Sequence, residues 1–132
     1  MSQSASPVVS QPAAQLVRDY FELVWNQGHT ELADRFLAAD LIQHNPNLPN
    51  GRRPLAEFID GMRAQLPQAR FEIRRMAVDG DLVFAHSLFT AQPGHSGIAV
   101  VDVFRLADGL IAEHWDLRED VPESTVSGNP IV

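Results

Sequence analysis

The segment Asp108-Gly109-Leu110-Ile111-Ala112-Glu113-His114-Trp115-Asp116 constrains this chain more than any other. Asp-Gly is a hairpin turn signal, because tight two-residue turns demand positive φ. Ile98–Leu106 and Leu110–Arg118 therefore read as the two strands of a hairpin. Side chains alternate along a strand, which puts Leu110, Ala112, His114 and Asp116 on one face. Ile111, Glu113, Trp115 and Leu117 fall on the other. A half-buried strand has no structural need for a histidine and a carboxylate on its small, apolar face. Even a neutral polar group buried without a partner costs roughly 2–7 kcal/mol. The first strand adds Asp102 amid Val100, Val101, Val103 and Phe104. Two acids and a histidine on apolar strands read as a catalytic site of Asp116, Asp102 and His114.

Upstream of the hairpin the pattern is helical. Residues 1–11 are Ser, Gln, Ala and Pro without periodicity and read as a mobile tail. Ser10 is a candidate cap, Pro12 suits a first turn, and Ala13, Leu16, Val17, Tyr20, Phe21 and Val24 recur at helical spacing up to Gly28. A second helix runs from Thr30 to about Ala38, and Leu41–His44 is extended. The proline-stiffened loop 45–51 follows. A third helix starts at Pro54, with Leu55, Phe58, Ile59, Met62 and Leu66 on one stripe. Strands are then expected over Arg70–Val78 and Leu82–Thr90, ahead of the hairpin. Helices first and strands after predict an α+β fold, a cone-shaped barrel of curved antiparallel sheet wrapped over three N-terminal helices. The single domain spans 12–120, and 121–132 form a C-terminal tail.

Several function classes drop out on composition. The 132 residues contain no cysteine, which excludes disulfides, thiolate nucleophiles and Cys-based zinc sites. All ten basic residues are arginine, so no lysine Schiff base is available. A formal net charge of −7 without a basic run argues against nucleic acid. No apolar stretch approaches the ~20 residues of a membrane span. With no secretory leader pattern, a cytoplasmic location is expected. No glycine-rich phosphate loop follows a strand, and no histidine pair sits at i, i+4 on a helix. The expectation is therefore no cofactor and no metal, with a metal as the competing explanation for the histidines and acids.

Other polar residues complete the candidate set. His44 and Asn45 stand where an extended segment enters a rigid loop, and His86 interrupts an apolar strand. With Tyr20 and Trp25 of the first helix they form the expected substrate-binding group. Each has a plainer structural explanation. Asp116 could be a solvated strand-end residue, His86 a hydrogen-bonded core histidine, and His44-Asn45-Pro46 ordinary turn chemistry.

The Leu41-Ile42-Gln43-His44-Asn45-Pro46 segment, the Phe84-Ala85-His86-Ser87 strand and the Asp102-Val103-Phe104-Arg105 to Glu113-His114-Trp115-Asp116 hairpin resemble SnoaL-like polyketide cyclases. These belong to the nuclear-transport-factor-2-like superfamily of cone-shaped α+β barrels. The resemblance covers roughly residues 12–120. It implies an aspartate near the end of the last strand acting as acid/base in an intramolecular aldol condensation, and the matching position is Asp116. At the place of Asp102 the family often carries histidine. The reading that follows is a cofactor-independent acid/base enzyme, a cyclase or isomerase, acting on a small apolar or carbonyl-containing ligand. Its alternatives are a non-catalytic small-molecule-binding domain and an Asp-pair hydrolase. Apolar surroundings disfavour a charged carboxyl, so an acid in such a site should hold its proton more tightly than in water. The outward face bearing Ile111, Trp115 and Leu117 lacks a covering helix, which predicts a homodimer through the sheets.

Overall fold

A computed structural model of the chain describes residues 5–132, with side chains from Pro12 onward. Helix α1 (Ala5–Asp19) is followed directly by a π-helical segment, Tyr20–Asn26, and a 3₁₀ segment, Thr30–Arg35. Strand β1 (Leu37–Gln43) and helix α2 (Arg52–Gln65) come next. Strands β2 (Arg70–Asp79), β3 (Leu82–Thr90), β4 (Ile98–Ala107) and β5 (Leu110–Asp120) complete the order. Because α1 starts at Ala5, it begins ahead of the expected Ser10 cap. The mobile-tail expectation for residues 1–4 lies outside the described residues.

The five strands form one open sheet in the order β1-β5-β4-β3-β2. β2 to β5 are the expected antiparallel meander. β1 is an addition that helical spacing concealed: it pairs parallel to β5, with Gln43 opposite His114. Ala38 and Ala39 favour a helix, and the open edge of β5 overrides that weak preference.

The Asp108-Gly109 turn forms as its sequence demands. Asp108 has φ 54° and Gly109 φ 78°, the pair of positive values that a type I′ hairpin turn requires. One residue later the expected alternation fails. Arg105 faces Glu113 but Leu106 faces Ile111, so Ala112 is an unpaired bulge residue. An extra residue inverts the parity of everything on its far side. Ile111 is consequently buried in the core and does not join the outer face as alternation predicted.

The core lies between the helices and the inner face of the sheet. Val17, Tyr20, Phe21 and Val24 pack against Leu37, Leu41, Val83, Ala85, Phe104 and Ile111, with Leu55 and Ile59 closing from α2. Phe104 meets both Tyr20 and Phe21 edge-on, at 6.0 and 5.8 Å between ring centroids. Such aromatic pairs add about 0.5–1.5 kcal/mol beyond the area they bury.

The π-helical turn has a consequence for the interior. Its i→i+5 bonding brings residues five apart onto one side of the helix. Trp25 Nε1 thereby donates to the Tyr20 hydroxyl at 2.8 Å. In a regular α-helix the stacked neighbours would be three and four residues apart.

Candidate active site

Between the helices and the inner face of the sheet lies a cavity of about 250 Å³. Most of its wall is aromatic or aliphatic: Tyr20, Phe21 and Trp25 from the π-helical turn, Phe58 and Met62 from α2, Phe71 and Phe104 from the sheet. Its polar groups are few: Asn45, Asn47, Asp102, His114, Asp116 and Arg118. An apolar chamber with a small convergent polar set is the usual form of a small-molecule site.

Four of these residues are held by one another. Asp102 and Asp116 stand directly opposite across the β4–β5 ladder. Asp102 is only 5% exposed, and its Oδ1 lies 2.7 Å from His114 Nε2. The other ring nitrogen, His114 Nδ1, lies 2.7 Å from Gln43 Oε1. That oxygen also accepts the backbone N–H of Asn45 at 3.1 Å, which fixes the orientation of the Gln43 amide. An amide oxygen only accepts, so Nδ1 carries a proton and donates it. Nε2 then accepts from a protonated Asp102 or donates to an ionised one, and the pair holds one proton between them.

Burial decides the leaning of that pair. It raises the pKa of Asp102 above the ordinary carboxylate range, the hydrogen bond and charge of His114 oppose the rise, and the nearby Asp116 adds to it. Asp102 Oδ2 and Gln43 Nε2 are buried without a hydrogen-bond partner among the described residues. Unpaired buried polar atoms cost about 1–3 kcal/mol each. These two, of three such atoms among the described residues with Ser87 Oγ the third, belong to the hydrogen-bond partners of His114.

Asp116 is placed differently. Asn45 Nδ2 donates to both of its oxygens, at 3.1 and 2.9 Å. Asn45 Oδ1 meanwhile accepts the Asn47 backbone N–H at 2.8 Å, so the Asn45 amide cannot turn over. The loop that prolines make rigid thus serves to aim one amide at one carboxylate. Burial pushes the pKa of the Tyr20 hydroxyl up, and Asp102 contributes to the rise. Tyr20 therefore remains a protonated donor. Its oxygen already accepts from Trp25, and its own proton has no acceptor among the described residues.

Two of the sequence candidates lie elsewhere. His44 is on the outer face, stacked on Trp115 at 4.8 Å and 3°. Its Nε2 lies 2.7 Å from Glu113 Oε2, whose other oxygen accepts from Arg105 Nε at 2.8 Å. His44 and then Arg105 hold the Glu113 pKa below its ordinary value. His86 also faces outward, where Arg75 donates to its Nδ1. The physical reason is parity: His44 and His86 alternate with the inward Gln43, Ala85 and Ser87. Asn45, Tyr20 and Trp25 border the cavity together with Asp102, His114 and Asp116. Gln43 and Arg118 were missed. Gln43 alternates with the apolar Leu41, and Arg118 continues the His114–Asp116 face; both signals were legible.

One nitrogen of His114 and one oxygen each of Asp102 and Asp116 lie within 4.8 Å of one another. They could share a cation, but His114 Nε2 is already engaged by Asp102. A bound metal would have to replace that contact.

The SnoaL-like domain family matches residues 17–114. No curated protein matches. Among solved structures, TsrD from Streptomyces laurentii superposes with a TM-score of 0.69 at 22% identity, covering 82% of this chain and 88% of its own. A candidate polyketide cyclase from Acidithiobacillus ferrooxidans gives 0.68 at 21% identity, over 84% and 90% of the two chains. A candidate isomerase of the SnoaL-like family from Agrobacterium tumefaciens gives 0.69 at 17% identity, over 82% and 97%. At these identities the likeness is one of fold. The match over residues 17–114 reaches from the buried Val17 of α1 to His114 beside the cavity, and by it this chain belongs to the SnoaL-like domain family.

Proposed function

We propose that the protein is a general acid/base catalyst acting on a small carbonyl compound, of the aldol-cyclase or isomerase type, with Asp116 as the base. The observation that carries this reading is a carboxylate at the polar end of an aromatic cavity, with both oxygens oriented by one immobilised amide. Asp116 removes a proton from the carbon α to the carbonyl, and the electron pair moves into an enolate. The Tyr20 O–H, made a better donor by the Trp25 N–H it accepts, holds the developing oxyanion. The enolate carbon then takes a proton at another position or attacks a second carbonyl, whose alkoxide is protonated from Asp116. A positioned base contributes about 10²–10⁴-fold, and one preorganised oxyanion donor about 3–4 kcal/mol. No step in this scheme draws on a cofactor.

The test needs no knowledge of the natural substrate. Compact ketones such as 2-tetralone are incubated in D₂O, and α-hydrogen exchange is followed by NMR. We expect exchange above the buffer rate that persists with a chelator present and is lost in Asp116→Asn. Exchange at wild-type rate in Asp116→Asn overturns the reading. Saturable binding of the ketones with no exchange favours the alternative, a non-catalytic binding domain.

The outer face supports a second proposal, a homodimer through the sheets. Phe84, Val103 and Trp115 form one continuous row across β3, β4 and β5. Ile42 on the adjacent β1 and Leu117 further along β5 are exposed as well. Sedimentation at high micromolar concentration should give twice the chain mass, and a monomer there refutes the dimer. Without cysteine the chain gains nothing from an oxidising compartment, and we place it in the cytoplasm.

A further inference from the structure

Arg118 is the one arginine that borders the cavity among the described residues. It lies on β5 two residues beyond Asp116, past the bulge, so the two share a face. Arg63, Arg70 and Arg105 are each tied to a backbone carbonyl or a carboxylate. Arg118 has no hydrogen-bond or ion-pair partner among the described residues. Of the two acids that flank it on the strand face, Asp116 is taken up by Asn45, and the exposed Asp120 makes no ion pair with it among the described residues. A guanidinium with a free planar fork at the rim of an apolar chamber fits a carboxylate, which it can engage through two parallel hydrogen bonds.

We propose that the ligand carries a carboxylate, bound by Arg118 at the cavity mouth, with a compact apolar skeleton of one or two rings filling the aromatic interior. This rests on the reading of the cavity as a ligand site and adds the chemical class of its occupant. The charge pattern dictates the orientation. A carboxylate pushed inward would meet Asp116, whereas at the rim it meets the Arg118 guanidinium. The chain as a whole is at −7, so its field repels anions, and selectivity for one must come from a local group. The volume sets the size. About 250 Å³ accommodates a fused two-ring body.

The experiment compares 2-naphthoate with its methyl ester, which has the same ring system without the charge. Calorimetric titration of the full chain at neutral pH and low salt should show the acid binding about tenfold tighter than the ester, about 1.4 kcal/mol. Added salt should shrink that preference, because the pair is at the rim. Arg118→Gln should lower the affinity for 2-naphthoate to that of the ester. Equal affinity for the two compounds, or an undiminished preference in Arg118→Gln, overturns the carboxylate assignment and leaves the Asp116 chemistry standing. Failure of both compounds to bind overturns the assignment and the ligand-site reading together.

Discussion

The two faces of β5 carry the same chemical pair in different surroundings. On the inner face His114 meets Asp102 at 2.7 Å, and on the outer face His44 meets Glu113 at 2.7 Å. The distances are identical and the consequences are opposite. Inside, desolvation outweighs the help of the imidazole and raises the Asp102 pKa. Outside, the hydrogen bonds from His44 and Arg105 outweigh desolvation, and the Glu113 pKa falls. Contact geometry alone therefore does not say what a histidine–carboxylate pair does. Burial decides the sign. The outer pair ties β1 to β5, and the inner pair joins β4 to β5 beside the cavity.

Breaking the inner pair should give the largest effect on stability. Asp102→Ala leaves His114 Nε2 buried without a partner, and we expect a loss of about 1–3 kcal/mol in denaturant unfolding. Asp102→Asn keeps the shape, and its amide can donate to Nε2. That variant should match or exceed wild-type stability near neutral pH, because it removes the cost of keeping a buried carboxyl protonated above its ordinary pKa. If Asp102→Asn is as damaging as Asp102→Ala, the leaning of the pair toward a proton on Asp102 is wrong.

The pH dependence should separate the pairs by sign. A raised native pKa means that the folded state binds the proton more tightly. The contribution of Asp102 is therefore fully present below the ordinary carboxylate pKa of about 3.9 and lost as pH rises through its native value. Glu113, with a lowered native pKa, contributes above its ordinary value and loses that contribution as pH falls through the native one. Unfolding measured between pH 3 and 8 should show the advantage of wild type over Asp102→Asn shrinking with rising pH. Its advantage over Glu113→Gln should grow over the acidic part of the same range. Parallel slopes for the two variants would remove the contrast. Because Asp102 and His114 share a proton, the midpoint read from the first curve belongs to the pair.

The smallest effect should come from the outer pair near neutral pH. Partly exposed ion pairs contribute little, so Glu113→Gln should leave the thermal midpoint close to that of wild type. A large drop would show that the His44–Glu113–Arg105 cluster holds β1 in place. Asp116 would then shift through Asn45, and the variant's ketone exchange rate would fall with its stability.

Much of this site was legible from local rules. The Asp108-Gly109 turn demanded a hairpin, and alternation from His114 to Asp116 put both side chains on one face. That face proved to be the inner one, as the apolar company of Asp102 on β4 implied. Local rules stopped where a choice depended on another strand. Alternation carried Ile111 outward, but the bulge at Ala112 turned it into the core, and no residue near Ala112 announces that extra position. His44 and Asn45 are neighbours of equal polarity. Only the parallel pairing of Gln43 with His114 decides that Asn45 reaches the cavity while His44 stacks on Trp115.

What the sequence determined by itself follows from short-range sterics and patterning: the α+β order, the type I′ turn and the one-face placement of two acids and a histidine. These depend on φ, on side-chain alternation and on apolar spacing, all fixed within a few residues. Tertiary structure decided which histidine is inside, which amide holds which carboxylate, and that burial raises the pKa of Asp102. Those outcomes depend on strand register and on exclusion of water, and both arise only when distant segments pack.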